Sequence, residues 1–216
     1  MHAFQTVTVV KRKSWLEHAH AQRVIYLNQR VILFLFHMFS FVWRRSFVSE
    51  LQELDVVHGS RYVLACNHQS RVDPFFICTQ LPYRIWRHLG TLNYFAANVY
   101  IDIPFYGGAM LRLGSFPAKA HVKHPYGLDY ARNLLRRGKS VLIFPEGRRT
   151  RRGETPTRHG VEALAHEPNV MIIPVHIEWT RGRPWRTFQL GVGKPFDGSA
   201  MTAQEIMDRI YQQPVA

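Results

Sequence analysis

The chain has 216 residues, 46% of them apolar, and its 28 Lys and Arg outnumber its 15 Asp and Glu, for a formal net charge of +13. Length and composition predict a folded domain with its own core and exclude a disordered chain, a coiled coil and a multi-span membrane protein. Two cysteines, Cys66 and Cys78, are too few for a disulfide framework or a Cys-rich zinc site, and their scarcity fits a reducing compartment. The positive charge predicts an anionic partner, which composition leaves open among nucleic acid, a membrane surface and phosphorylated small molecules.

Residues 1–49 are predicted to form an N-terminal segment that is first basic and then apolar. An apolar run at 31–43 is closed by Arg44 and Arg45. Its uninterrupted part is shorter than the ~20 residues of a spanning helix, and it lies too late for a signal peptide. Together with residues 24–27 it predicts a longer helix in a membrane interface, the alternative being a buried helix of a soluble domain. Membrane contact is favoured because the run is apolar all round.

Residues 50–216 are predicted to form a single α/β domain, because strands alternate with helices and no repeat or linker interrupts them. Short apolar runs separated by helical spacing indicate a central mixed, largely parallel sheet flanked by helices. Asp73 is expected to cap a helix whose first residue is Pro74, and Pro174 is expected to mark an edge strand or a bulge. Strands are predicted at 62–66, 140–144, 170–177 and 188–192, and helices from 73, at 105–113, 128–138, 161–165 and 203–211.

A first polar cluster, residues 67–73, directly follows the strand predicted at 62–66. A turn between His68 and Asp73 can bring the carboxylate to one ring nitrogen, which fixes the tautomer and leaves the other nitrogen able to accept a proton. His68 is therefore a candidate general base for a substrate hydroxyl that attacks an activated acyl carbonyl. Two alternatives stay open. Asp73 serves only as a helix cap beside an ordinary loop histidine, or Cys66 and His68 form a nucleophilic pair, although a buried inert cysteine is favoured over the latter.

A second polar cluster, residues 145–153, follows the strand predicted at 140–144 and is rich in guanidinium groups. Arg148, Arg149, Arg151 and Arg152 can offer bidentate hydrogen bonds to a phosphate. Gly147 allows a ligand close to the backbone. Glu146 can hold a substrate hydroxyl or fix one arginine in place. The alternative is a solvated basic loop. The histidines lack matching ligands at metal spacing, and no phosphate loop or nucleic-acid motif is present, so neither a metal nor nucleic acid is expected.

In this order, the two clusters resemble the motif blocks of the glycerolipid (lysophospholipid) acyltransferase family. The likeness covers residues 62–196, and a hydrophobic strand with an internal proline at 170–175 is similar to a further block of the family. The two clusters correspond to the first and third blocks of the family. The block that lies between them departs from the pattern, because the chain has Lys119 in place of the family's arginine. The matching positions are Asn67, His68, Gln69, Ser70 and Asp73 in the first block and Phe144, Pro145, Glu146, Gly147 and Arg149 in the third, where Arg148 and Thr150 replace a threonine and a serine.

The resemblance implies that His68 is the base, that Asp73 orients it, and that the acceptor binds to Glu146, Gly147, Arg149, Arg148 and Lys119. It implies direct transfer of a fatty acyl group from acyl-CoA or acyl carrier protein to a lysophospholipid. The favoured acceptor is 1-acylglycerol-3-phosphate, which gives phosphatidate, and no resident cofactor is expected. The expected location is the cytoplasmic face of an anionic membrane, with the N-terminal segment as anchor or peripheral contact. Alternatives are another lyso-lipid or an amino-acid lipid as acceptor, or a non-catalytic basic protein that binds membrane or nucleic acid.

Overall fold

The computed structural model describes residues 22–38, 45–49, 60–81, 83–118, 126–149, 157–180 and 187–215. The strands are β1 (Arg45–Ser49), β2 (Arg61–Cys66), β3 (Leu92–Ala97), β4 (Ser115–Ala118), β5 (Ser140–Ile143), β6 (Val170–Thr180) and β7 (Thr187–Val192). The helices are α1 (Gln22–Met38), α2 (Asp73–Gln80), α3 (Tyr83–Leu89), α4 (Asn98–Ile101), α5 (Tyr106–Arg112), α6 (Tyr126–Arg136), α7 (Gly160–Ala165) and α8 (Ala203–Tyr211).

The strands form one sheet in the order β1-β7-β6-β2-β5-β3-β4. The five strands from β6 to β4 are mutually parallel, β7 is antiparallel to β6, and β1 is parallel to β7. The predicted α/β class with a mixed, largely parallel sheet is therefore confirmed. Strand β1 falls inside the predicted N-terminal segment, yet all its residues pair with β7, so the sheet extends across the predicted boundary at residue 50.

Side-chain alternation along β2 divides the core into two layers. Leu64 and Cys66 face the layer of α2 and α3, whereas Val63 and Ala65 face the layer of α6, α7 and α8. Successive residues of a strand point to opposite faces, so a strand that is apolar at every position must be covered on both sides. This explains why β2 lies in the interior of the sheet, where it fixes the position of the residues that follow it.

Helix α1 packs against the domain with one face. Ile25 and Gln29 are buried, and the Gln29 amide donates to the backbone oxygens of Leu92 (2.7 Å) and Leu113 (2.8 Å). The opposite face leaves large apolar side chains such as Leu27 exposed. Across the parts of the chain that the structure describes, no helix combines the length and apolarity needed to cross a membrane. Residues 39–44 of the predicted apolar run and its closing arginine lie outside the described residues.

The interpretation of Pro174 as an edge or bulge residue is wrong. Strand β6 lies between β2 and β7, and Pro174 pairs with Ala65 in an unbroken register. Pairing with β7 begins one residue later, at Val175, and the Pro174 oxygen accepts a hydrogen bond from the Gly193 backbone (2.9 Å). A proline is tolerated in this interior strand because it stands just outside the ladder that β6 forms with β7.

Candidate active site

The two predicted polar clusters meet at one end of the sheet. Strands β2 and β5 are parallel neighbours, so the residues that follow Cys66 and Ile143 emerge at the same edge. Strand β4 ends at Ala118 and runs parallel with them. Lys119, which comes next, lies outside the described residues, so its place in the site stays a prediction.

The turn between His68 and Asp73 brings the imidazole and the carboxylate into hydrogen-bond contact. His68 Nδ1 lies 2.9 Å from Asp73 Oδ2. The same oxygen accepts the backbone N–H groups of Gln69 and Ser70, each at 2.7 Å. Asp73 is 0% exposed, and three donors therefore hold this buried oxygen in one orientation.

The prediction that Asp73 caps helix α2 is wrong. Val72 occupies the cap position without a side-chain cap bond, and Asp73 is the first residue of the helix with Pro74 behind it. Its carboxylate turns back to the N–H groups that precede the helix. The alternative in which Asp73 acts only as a cap therefore does not describe this carboxylate.

Trp179, on β6, supplies the fourth donor to Asp73. Its indole Nε1 donates to Asp73 Oδ1 at 2.8 Å, so both carboxylate oxygens are bonded. The indole packs against the rings of Phe76 and Phe188, with ring centroids 4.8 and 4.9 Å from its own. The Trp179 backbone N–H donates to the Gln69 side chain (3.1 Å). Sequence reasoning missed this residue because the predicted strand ended at Ile177 and only the sheet brings position 179 to position 73.

The Asn67 side chain continues the pairing of β2 with β6 after the strand has ended. Its amide nitrogen donates to the Ile177 oxygen (2.9 Å), and its amide oxygen accepts from the Ile177 nitrogen (2.7 Å). This pair fixes the direction in which the chain enters the turn. The ring of His68 then stacks on Phe144, with ring centroids 4.1 Å apart and planes inclined by 24°.

The contacts of His68 define its chemistry. When Nδ1 carries the proton and donates to the Asp73 carboxylate, Nε2 holds a lone pair. No residue in the described part of the chain forms a hydrogen bond with Nε2, and the His68 side chain is 18% exposed. The arrangement is that of an oriented imidazole able to accept a proton from a ligand.

Glu146 lies beneath the turn rather than on the surface. It is 3% exposed, its carboxylate accepts the His68 backbone N–H (3.3 and 3.4 Å), and the Tyr211 hydroxyl donates to Oε1 (3.3 Å). Tyr211 ends α8 and has no motif to mark it, so sequence reasoning missed it. These contacts favour Glu146 as a residue that positions the turn, while its predicted contact with the acceptor stays a prediction.

The arginine loop, residues 146–149, sits beside the turn with its cations in solvent. Gly147 has φ +65°, and a Cβ there would lie 2.4 Å from the Arg158 side chain. Arg158, which sequence reasoning missed, is held close because its backbone N–H donates to the Pro145 oxygen (2.8 Å). Arg148 and Arg149 are exposed, and within the described residues neither forms a hydrogen bond or an ion pair. The guanidinium groups of Arg148 and Arg149 belong to the loop, and that of Arg158 lies against it at Gly147.

Cys66 is unsuited to act as a nucleophile. Its side chain is fully buried, and Sγ donates to the Asn67 oxygen (3.2 Å). Burial raises the pKa of the thiol well above its ordinary value, and the negative charges of Asp73 and Glu146 raise it further. The thiol stays protonated, so the geometry favours the inert cysteine over the Cys66–His68 pair.

Comparison with known proteins identifies the family. A sequence model of the Acyltransferase family matches residues 47–178. The chain belongs to the Acyltransferase family. The predicted resemblance is confirmed, and the acyltransferase fold supplies the frame for the two polar clusters.

Two relatives and one solved structure illustrate the similarity. The glycerol-3-phosphate acyltransferase of Ectopseudomonas mendocina is 26% identical over 203 residues, which cover 82% of this chain and 24% of the relative. The 1-acyl-sn-glycerol-3-phosphate acyltransferase of Bacillus subtilis is 27% identical over 116 residues, 53% of this chain and 54% of the relative. The crystal structure of the 1-acyl-sn-glycerophosphate (LPA) acyltransferase PlsC from Thermotoga maritima superposes with a TM-score of 0.60 at 20% identity, covering 84% of this chain and 76% of that chain. The acyltransferase chain thus matches about a quarter of the length of the first relative and about half of the second.

Proposed function

We propose that this chain transfers a fatty acyl group from an acyl thioester, on coenzyme A or acyl carrier protein, to the free hydroxyl of a lysophospholipid. The acceptor is 1-acylglycerol-3-phosphate and the product is phosphatidate. The observation that carries the proposal is the 2.9 Å contact between His68 Nδ1 and the buried Asp73 carboxylate, beside a loop of exposed arginines. Family membership and the names of the relatives support acyl transfer to a glycerol phosphate.

The proposed chemistry needs one base and no covalent enzyme intermediate. His68 Nε2 takes the proton of the acceptor hydroxyl while its oxygen attacks the thioester carbonyl. The tetrahedral intermediate collapses by breaking the carbon–sulfur bond, and the departing thiolate recovers the proton from His68. Asp73 stabilises the imidazolium that forms in between, because its charge lies against Nδ1. The alcohol supplies its own nucleophilic oxygen, so no serine or cysteine is required.

The proposed acceptor site uses the arginine loop for the phosphate. Guanidinium groups bind phosphate oxygens in pairs, and the exposed side chains of Arg148 and Arg149 have their donors available for such contacts. Arg158 adds a third cation next to Gly147. Lys119 is proposed as a fourth cation, in place of the arginine that the family block has.

The proposed place of action is the cytoplasmic face of an anionic membrane. The exposed apolar face of α1 and the net charge of +13 support it, since apolar side chains enter the interface and cations bind acidic headgroups. Helix α1 therefore serves as the contact that holds the enzyme close to its lipid acceptor.

A second candidate acceptor is glycerol 3-phosphate itself. The relative from Ectopseudomonas mendocina, which matches 82% of this chain, is a glycerol-3-phosphate acyltransferase. Both acceptors present a phosphate and a hydroxyl on the same glycerol, so the proposed base and arginine loop serve either. The two acceptors differ in the acyl chain that only the lysophospholipid carries.

One incubation series tests the proposal. The purified chain is mixed with acyl-CoA or acyl carrier protein as donor and with lysophosphatidate, glycerol 3-phosphate, other lysophospholipids or an amino-acid lipid as acceptor. Mass spectrometry of the products then identifies donor and acceptor together. We expect phosphatidate from lysophosphatidate. A chain that binds anionic vesicles or nucleic acid but forms no acylated product with any pair contradicts the proposal and favours the non-catalytic alternative.

A further inference from the structure

Exposed large apolar side chains among the described residues fall into three groups along the chain. In the part of the chain that the structure describes, six lie on α1, four lie between Val99 and Tyr106, and two, Val72 and Phe75, flank Asp73. On a protein surface, single exposed apolar residues are ordinary, whereas a concentration of them marks an interaction surface. We call the group of four, Val99, Ile103, Phe105 and Tyr106, the loop surface.

The loop surface is held in place by the fold. Phe105 is 96% exposed and has φ +61°, a backbone conformation that residues with a side chain rarely adopt. Behind it, α5 approaches α4 so closely that a Cβ on Gly107 would lie 2.0 Å from the Ile101 oxygen. A large apolar ring is thus kept in solvent at a strained backbone position, which is typical of a functional surface.

The loop surface is connected to α1 and to the catalytic turn. Arg112 lines a cavity of about 350 Å³ together with Ile103, Phe105 and Asp102, and its backbone oxygen accepts a hydrogen bond from Asn28 of α1 (3.1 Å). On the other side, the Arg71 guanidinium lies 5.6 Å from the centre of the Tyr100 ring. The two surfaces therefore meet at Arg112, and the loop surface reaches the turn through Arg71.

We propose that the loop surface inserts into the interface of an anionic lipid bilayer, as a second contact beside α1. The occupant is a lipid surface because the apolar side chains are accompanied by Arg112 and Arg71 on a chain of net charge +13, which complements acidic headgroups. Of the described residues that line the cavity, Asp102 is the one with an acidic side chain. Two contacts, one through α1 and one through the loop surface, fix the tilt of the domain, so that the His68–Asp73 turn faces the headgroup layer. The inference rests on the proposed function only in taking a lipid as the acceptor that this tilt serves.

The test measures binding of the full chain to vesicles. Phe105→Gly removes the ring and suits the positive φ, so the fold is expected to keep its stability. If the bilayer buries the Phe105 ring, its loss should lower the partition coefficient onto phosphatidylcholine–phosphatidylglycerol vesicles about tenfold or more. Ile103→Ser is a second variant of the same surface. Met201→Ala is the matched control, since it removes an apolar side chain that packs in the opposite layer, and it should bind like the wild type.

An activity assay on detergent-dispersed substrate separates this inference from the proposed function. We expect Phe105→Gly to match the wild type in detergent and to lose activity on vesicles. Equal vesicle binding by wild type, Phe105→Gly and Ile103→Ser overturns the inference. So does a concentration-dependent dimer that Phe105→Gly abolishes while vesicle binding persists, because the surface then binds a second copy. A wild type that is inactive in detergent but whose vesicle binding depends on Phe105 contradicts the proposed function and supports this surface.

Discussion

The catalytic turn and the arginine loop lie side by side, yet they are built in opposite ways. In the turn, Asp73 is buried and both its oxygens accept hydrogen bonds, from two backbone N–H groups, from His68 and from Trp179. In the loop, Arg148 and Arg149 stand in solvent and make no hydrogen bond to any described residue. Glu146 joins the two regions, since it belongs to the loop and holds the backbone of His68.

This difference separates the two tasks of the site. A base must lie at a defined distance from the reacting hydroxyl, so several short, buried hydrogen bonds hold it in position. A phosphate is recognised by charge over a wider range of positions, so long flexible cations in solvent suffice. Changes in the turn should therefore lower kcat, whereas changes in the loop should raise the KM for the acceptor.

Among substitutions of the residues around the base, Asp73→Asn should have the largest effect. The amide nitrogen of asparagine cannot accept a hydrogen bond, so the bonds to one of the two carboxylate oxygens are lost. The imidazole also loses the negative charge beside Nδ1. We expect kcat to fall on the order of 10²–10⁴-fold while the KM for the acceptor changes little. Steady-state kinetics check this, with Asp197→Asn, an exposed carboxylate in a distant turn, as the control that should behave like the wild type. A variant that is folded and fully active would show that the buried carboxylate has only a structural role.

The next effect concerns Trp179→Phe, which keeps an aromatic ring against Phe76 and Phe188 but removes the N–H to Asp73. A hydrogen bond to a charged group contributes about 1.5–3 kcal/mol, so kcat should fall about ten- to hundredfold. In the background of Asp73→Asn the same change should cost much less, because the two residues act through one contact. Trp86→Phe is the matched control, since its indole donates to the Cys78 oxygen (2.7 Å) away from the turn. Additive effects of the two substitutions would separate Trp179 from the function of Asp73.

A smaller effect is expected for Arg149→Ala. The loss of one solvent-exposed cation should raise the KM for the phosphate-bearing acceptor about tenfold and leave kcat nearly unchanged, because charged hydrogen bonds are partly screened in water. The difference from the wild type should shrink as salt is added. Arg136→Ala, which breaks an ion pair with Glu167 (3.0 Å), is the control for general loss of charge. A fall in kcat at constant KM would place Arg149 in the chemistry instead.

The smallest effect is on the acid stability of the layer that carries Tyr211. The backbone N–H of Ala203, at the start of α8, and then the His159 side chain hold the pKa of Glu162 below its ordinary value of 4.5. Because the folded pKa is the lower one, the stabilisation is complete above pH 4.5 and is lost as pH falls through the folded pKa. Glu162→Gln should therefore narrow the gap between the melting temperatures at neutral and acid pH. An unchanged gap would mean that this contact contributes nothing to acid stability.

Local sequence was sufficient for the elements that place the site. Continuous apolar runs followed by polar residues predicted β2, β5 and β6, and Gly138 correctly marked the end of α6. Strands β3 and β4 were missed for physical reasons. Asn93 interrupts the apolar pattern of β3, and its buried amide donates to the Ser140 backbone oxygen (3.3 Å) and accepts from the Gln22 side chain (3.3 Å). Strand β4 is a four-residue edge strand that contains Pro117.

The partners of the base could not be predicted from local sequence. His68 and Asp73 are five positions apart, so a turn was enough to connect them. Trp179 is 106 positions from Asp73, and Tyr211 is 65 positions from Glu146. Only the order of the strands and the packing of α8 bring these pairs together, and no residue type or spacing in the sequence predicts their contacts.

The most direct test of the central claim is the rate of phosphatidate formation by His68→Ala. If His68 removes the hydroxyl proton, the rate should fall on the order of 10²–10⁴-fold, while the far-ultraviolet circular dichroism and the melting temperature stay close to those of the wild type. His166→Ala, an exposed histidine after α7, should keep full activity in the same assay. A folded His68→Ala that makes phosphatidate at the rate of the wild type would contradict the account.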